Sequence, residues 1–235
     1  MSDDPKFHAV IPAAGVGARM ASALPKQYLQ LAGKTVLEHS LDALLACERI
    51  DRVMLVLADA DEYWPSIQSR YKDSRVETVS GGTERSQSVL NGLERLAETA
   101  HENDWVLVHD AVRPCLLQDD IDSLLNALAG DLVGGLLGVP ATDTMKQVSA
   151  EGDVTQTLER DGLWRALTPQ MFRLGELREA LRRAITAGAQ VTDEASAMEL
   201  AGQRPRMIPG HADNIKITRP GDLQLAEFYL QSRQK

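Results

Sequence analysis

What most limits the possible folds is an alternation, through residue 130, of short apolar runs with longer segments of helical spacing. FHAVIPA (7–13), RVMLVLA (52–58), RVETVSG (75–81) and WVLVHD (105–110) read as strands, and DLVGGLLGVPA (131–141) as a strand thinned by glycines. KTVLEHSLDALLAC (34–47) and ERSQSVLNGLERLAE (84–98) repeat their apolar residues at helical intervals. EYWPSIQSRY (62–71) reads as a short helix around its proline, and QDDIDSLLNALA (118–129) as a helix with acids in its first turn, where the helix dipole favours them. Strands that are apolar along their whole length need cover on both faces. The pattern therefore predicts an α/β fold, a Rossmann-like, mostly parallel sheet with helices on both faces. Ligands of such sheets sit beyond the carboxyl ends of the strands.

The alternation breaks at residue 142. TMKQVS and VTQTLE are short, polar and alternating, and they flank the turn signal AEGD, which predicts a β-hairpin. It carries too few apolar residues to bury itself. Residues 141–163 are expected to form a protruding β-arm that packs on something else, such as a second subunit, within a single domain over residues 1–235. Helical spacing returns at LGELREALRRAITAG (174–188) and DEASAMELAG (193–202). A strand-like RPRMIPG follows, and Pro220 then suits a helix N-terminus.

Composition narrows the partners. Net charge is −9, no dense Lys/Arg run is present, and three Phe, four Tyr and three Trp are too few for an aromatic platform, so no nucleic-acid partner is expected. No run is long enough to cross a membrane and the N-terminus MSDDPKF lacks signal-peptide character. Cys47 and Cys115 make neither a metal spacing nor a disulfide framework, and the expected location is the cytoplasm.

The first strand runs into VIPAAGVGARM (10–20). Gly15 and Gly17 lack a Cβ, so an anion can approach the main chain and the loop can take positive φ. The P-loop pattern is absent, and the dinucleotide fingerprint fails where Met20 replaces its third glycine. Arg19 and Lys26 bracket the loop, a pair suited to neutralising a polyphosphate and stabilising charge on a phosphorus under attack. Taken singly, each cation reads as a solvated surface residue.

PAAGVGARM followed by PKQYLQLAGKTVLEHSL, then VSGGTERSQSV, VHDAVRP, DTMK, LTPQ, TDEAS and ADNIKITRPGDL, resembles the 2-C-methyl-D-erythritol 4-phosphate cytidylyltransferases, in order and over nearly the whole chain. Ribitol-phosphate cytidylyltransferases share most of the set. The resemblance implies transfer of CMP from CTP to 2-C-methyl-D-erythritol 4-phosphate with release of pyrophosphate, a step of the non-mevalonate isoprenoid pathway, with ribitol phosphate as the alternative acceptor. It implies a CTP site at Ala13, Ala14, Gly15, Gly17, Gly81, Gly82, Thr83 and Ser88, with catalytic cations Arg19, Lys26 and Lys216. Some relatives carry Asp where Thr83 stands; on sequence alone Thr83 also reads as a helix cap. Asp110, Arg113, Thr144, Arg160, Thr168 and Thr192 match positions at the polyol phosphate. Asp110 reads either as a cap or ion pair or, at the sheet's ligand edge, as a ligand for Mg²⁺ or another hard divalent cation. Arg160 on sequence alone is a surface arginine; the resemblance places it across a homodimer, in the partner's site. Asp213 is a weaker candidate for holding metal or orienting its loop.

Overall fold

The computed structural model describes residues 4–15 and 24–233. Strand β1 (Phe7–Pro12) is followed by a turn of 3₁₀ helix (Lys26–Tyr28), a small hairpin of β2 (Gln30–Leu31) and β3 (Lys34–Thr35), and α1 (Val36–Leu45). Next come β4 (Ile50–Leu57), α2 (Trp64–Gln68), β5 (Val76–Ser80), α3 (Arg85–Ala97), β6 (Trp105–Val108), α4 (Gln118–Leu128) and β7 (Gly134–Pro140). The arm is β8 (Met145–Val148) and β9 (Val154–Leu158). The chain returns through β10 (Trp164–Arg173), α5 (Leu174–Thr186), α6 (Glu194–Leu200), β11 (Arg206–Pro209) and α7 (Pro220–Ser232).

Seven strands form the main sheet in the order β11-β7-β10-β6-β1-β4-β5. β1 pairs in parallel with β4 on one side and β6 on the other, Val10 lying opposite both Met54 and Val108. The chain therefore moves outward from β1 to β5 and then crosses back to β6. That reversal opens a crevice beyond the carboxyl ends of β1 and β6, where α/β sheets bind their ligands.

Successive residues of a strand face opposite sides, and each side has its own core. Ile11 and Leu55 pack with Leu37 and Leu41 of α1 and Leu124 of α4. Val10, Val56 and Val108 pack with Val89 and Leu93 of α3 and Leu177 of α5. α1 starts where Thr35 and Glu38 cap each other: Thr35 Oγ1 accepts from the Glu38 N–H at 3.3 Å and Glu38 Oε2 from the Thr35 N–H at 2.8 Å.

One strand of the main sheet is absent from the pattern read above. β10 runs antiparallel to both β6 and β7, in the middle of the sheet. Pro169 makes the segment look unlike a central strand, because proline cannot donate to a ladder. In the fold, the β10–β7 register shifts between Ala166 and Gln170, and the cis Thr168–Pro169 peptide falls in that gap. The ladder is already open where its donor is missing.

The arm strands pair with each other, Met145 opposite Leu158, as a separate two-stranded sheet. Met145, Val148 and Val154 are exposed on it.

Candidate active site

Three strand ends and the loop before α7 meet at the crevice. Ala13 extends β1 by donating its N–H to Val56 O at 2.8 Å. Gln27, buried, donates from Nε2 to Ala13 O at 2.8 Å and to Gly15 O at 3.1 Å, and so pins the start of the glycine loop. Gly15 is not in the positive-φ region the loop was expected to use; what its missing Cβ leaves is open space. Gly17 and Arg19 lie outside the described residues.

At the end of β5, Gly81 donates to Leu57 O at 2.7 Å. A Cβ there would run into the Ala14 side chain, so glycine lets the β1 and β5 loops lie against each other. The Gly82 N–H donates to Ser88 Oγ at 3.0 Å, and that hydroxyl donates to Glu84 O at 3.0 Å. The residue flanking α3 at its start is Glu84, without a side-chain cap, so Thr83 does not cap the helix; it is exposed and faces the cleft.

These loops enclose a cleft of ≈ 290 Å³, lined among others by Ala13, Ala14, Gly15, Gly82, Thr83 and Ser88, with Lys26 and Lys216 on its wall. Gly81 stands just behind it, against Ala14. Lys26 Nζ donates to Thr218 O at 3.0 Å, bringing the α7 approach beside the β1 loop. A second cleft of ≈ 170 Å³ holds Arg113, Thr168 and Thr192. The two clefts share Arg85, Asp110 and Lys216 as a common wall.

Asp110 organises that wall. Its Oδ2 is 2.9 Å from Lys216 Nζ and 3.4 Å from Arg113 Nε, and its Oδ1 is 3.1 Å from Arg85 Nε. Burial alone would raise this carboxyl; Arg85, Lys216 and Arg113 override it and hold Asp110 well below the usual carboxylate range. Arg85 also forks onto the fully buried Glu194, with contacts of 2.6 and 3.1 Å. Burial opposes the charge on Arg85, but Glu194 and Asp110 raise its affinity for the proton above normal. Arg113 is buried and reaches Asn214 O at 2.8 Å through Nη1. Burial pushes the imidazole of His109 down to about 4, so the ring is neutral.

Thr144 and Arg160 stand on and beside the arm, outside both clefts, and Arg160 Nη1 donates to Thr142 O at 2.7 Å. Asp213 pairs with Arg233 at 2.5 Å and lines neither cleft. Two contributors were not read as site residues from the sequence, Gln27 and Glu194. Both sit inside quoted motifs, PKQ and TDEAS. Glu194 carried a further signal: a charge beside Ala195, Ala197 and Met198, all buried on α6, needs a partner.

A switch-point crevice with two clefts joined at a charged wall is the arrangement of an α/β enzyme that handles anionic substrates. The family model for 2-C-methyl-D-erythritol 4-phosphate cytidylyltransferase matches residues 7–232. A protein of that name from Pseudomonas fluorescens (strain Pf0-1) is 58% identical over 221 residues, 94% of each chain. One from Pseudomonas putida (strain GB-1) is 55% identical over 222 residues, again 94% of each chain. The crystal structure of the Francisella tularensis enzyme of the same name superposes with a TM-score of 0.81 at 35% identity, covering 95% of this chain and 99% of that one. A crystal structure of a 4-diphosphocytidyl-2C-methyl-D-erythritol synthase gives 0.84 at 37% identity, covering 97% and 99%. The chain belongs to the 2-C-methyl-D-erythritol 4-phosphate cytidylyltransferase family.

Proposed function

We propose that the larger cleft takes CTP, the smaller takes the polyol phosphate, and the reacting phosphates meet at the wall the clefts share. The family activity is transfer of CMP from CTP to 2-C-methyl-D-erythritol 4-phosphate, a step of non-mevalonate isoprenoid precursor synthesis. An oxygen of the acceptor phosphate attacks the α-phosphorus. The bond from that phosphorus to the β-phosphate oxygen breaks, and pyrophosphate leaves. The nucleophile is already anionic, so no general base has to create it, and the work is orientation and stabilisation of charge. Arg19 and Lys26 serve the α-phosphate and the leaving pyrophosphate, and Lys216 the phosphate brought from the other side. The observation that carries this reading is the shared wall of Arg85, Asp110 and Lys216 between two clefts.

A divalent cation does not fit as a group held by the protein alone. Both Asp110 oxygens already face cations, and no cluster of three His, Cys, Asp or Glu suited to a metal occurs among the described residues. Mg²⁺ is therefore assigned to the substrate, carried in on the triphosphate, and no step is routed through Asp110 as its ligand. Thr144 and Arg160 are assigned to a partner's acceptor cleft across a homodimer built on the arm, whose exposed Met145, Val148 and Val154 offer the apolar surface. No helix among the described residues is long and apolar enough to cross a membrane, and Cys47 and Cys115 are free and buried, as a reducing cytoplasm allows.

The test is pyrophosphate release with Mg-CTP and either 2-C-methyl-D-erythritol 4-phosphate or ribitol 5-phosphate. Turnover with the first is expected; strong preference for the second overturns the acceptor assignment. Replacing Arg160 with Glu is expected to raise the acceptor KM about tenfold while calorimetric CTP binding survives. Equal loss of both would remove Arg160 from the acceptor side.

A further inference from the structure

His109 joins two parts of the acceptor cleft. The ring is fully buried at the end of β6. Its Nε2 lies 3.1 Å from the main-chain oxygen of Arg113, and its Nδ1 lies 3.0 Å from Thr168 Oγ1 on β10. A carbonyl only accepts, so Nε2 carries the hydrogen. Neither ring nitrogen bonds a carboxylate, and a neutral ring satisfies both partners. Nδ1 is then a bare lone pair, and the Thr168 hydroxyl donates to it. The same Thr168 oxygen accepts the N–H of Asp110 at 3.1 Å.

A hydroxyl has one hydrogen and two acceptor positions. At Thr168 the hydrogen goes to His109 and one acceptor position to Asp110. One lone pair remains for the cleft. It can receive a hydrogen bond from a substrate hydroxyl. It has nothing to donate to an ionised phosphate oxygen, which only accepts.

We propose that His109 is a positioning residue: by taking the Thr168 hydrogen, it makes Thr168 an acceptor for a polyol hydroxyl, so that this threonine reads the carbon chain of the acceptor substrate and not its phosphate. The proposal rests on the assignment of the smaller cleft to the polyol phosphate. Recognition of the phosphate then falls to cations such as Lys216, and selection among polyols of similar charge falls partly to Thr168.

Two substitutions separate the ring's two bonds. His109→Gln keeps an amide N–H for Arg113 O and loses the acceptor at the Nδ1 position. His109→Asn keeps an oxygen near the Nδ1 position. The acceptor KM of His109→Gln is expected to rise about tenfold, the worth of one misdirected hydrogen bond, with the CTP KM within about twofold of wild type. His109→Asn is expected to recover most of the loss. Monodeoxy acceptor analogues sharpen the reading: wild type discriminates against one of them, and Thr168→Val largely abolishes that discrimination. Equal acceptor KM values for the Gln and Asn variants, or loss of CTP and acceptor affinity together, would overturn the proposal. Nitrogen-15 NMR of the unliganded protein tests the bond directions without turnover, and a hydrogen on Nδ1 of His109 would overturn them. If wild type uses no polyol phosphate, the cleft assignment fails and the proposal fails with it; if it does and the tautomer is wrong, only the proposal fails.

Discussion

β6 carries a buried carboxylate at each end, and the two make opposite uses of the same chemistry. Asp104 precedes the strand and Asp110 follows it; both are almost fully buried. Burial alone would raise either carboxyl, and in both the surroundings win and hold it below the ordinary range. Around Asp104 the surroundings are mainly backbone: the N–H groups of Lys6 and His101, each at 2.9 Å, joined by the His8 ring at 3.2 Å. Those donors tie the β1 start to the turn before β6. Around Asp110 the donors are three cationic side chains, and two of them, Arg85 and Lys216, also face the larger cleft. Cleft size does not distinguish the ends: the hollow beside Asp104 is larger, ≈ 620 Å³ against ≈ 290 Å³. What distinguishes them is the kind of group that holds the carboxylate: main-chain N–H groups and one imidazole at Asp104, three cationic side chains at Asp110.

The sharpest way to break the comparison is to remove a cation from the carboxyl end. Lys26→Ala is expected to lower kcat about a thousandfold, the upper scale for one preorganised charge contact in a transition state. Its melting temperature should stay near wild type, because among the described residues the Lys26 side chain makes one hydrogen bond, an exposed one to Thr218 O. Steady-state kinetics with a thermal melt checks both, and near-normal turnover would detach Lys26 from the chemistry. The two aspartates come next. Asp110→Asn is expected to cut kcat/KM about a hundredfold, since Lys216 and Arg85 lose the charge that aims them. Asp104→Asn is expected to cost about 2 kcal/mol of stability, the scale for charged hydrogen bonds, with kcat unchanged. If Asp104→Asn matches Asp110→Asn in lost turnover, the division between the ends is wrong.

The same pair gives a pH dependence of known sign. Each carboxyl has a folded value below its unfolded one. Each therefore contributes stability that is complete above the unfolded value, about 4, and is lost as the pH falls toward the folded value. Unfolding followed between about pH 2 and 6 should show a shallower acid limb in either Asn variant than in wild type. The smallest effect belongs to Ser88→Ala. It leaves the Gly82 N–H without its partner, and a few-fold rise in the CTP KM is expected, with kcat little changed. A large fall in kcat would mean that the β5 loop takes part in the chemistry as well as in nucleotide binding.

The main-sheet strands and the long helices before residue 130 were legible because their periodicity is strong and local, whereas the short β2–β3 hairpin was not, and Lys34 and Thr35, read with the following helix, belong to β3. The arm was legible from its polar alternation. β10 was not, because Pro169 speaks against a central strand unless the register gap at that proline is known. Thr83 was read as a cap from residue type, whereas the chain bends one residue later, at Glu84. Lys26, Asp110 and Lys216 stand in motifs quoted from the sequence, and the fold brings them to the cleft walls. The fork of Arg85 onto Glu194 was not legible, since its ends are 109 residues apart and neither needs the other until α3 and α6 converge.

By itself the sequence determined the layers and the chemistry available at strand ends, because apolar spacing dictates which faces must be covered and a bare glycine or a lysine offers the same groups in any context. Only the tertiary structure decided that two clefts share one charged wall, and that His109 stands between the Arg113 carbonyl and the Thr168 hydroxyl. Those are relations between distant segments, set by the sheet order that brings β1, β6 and β10 side by side, and nothing local encodes them.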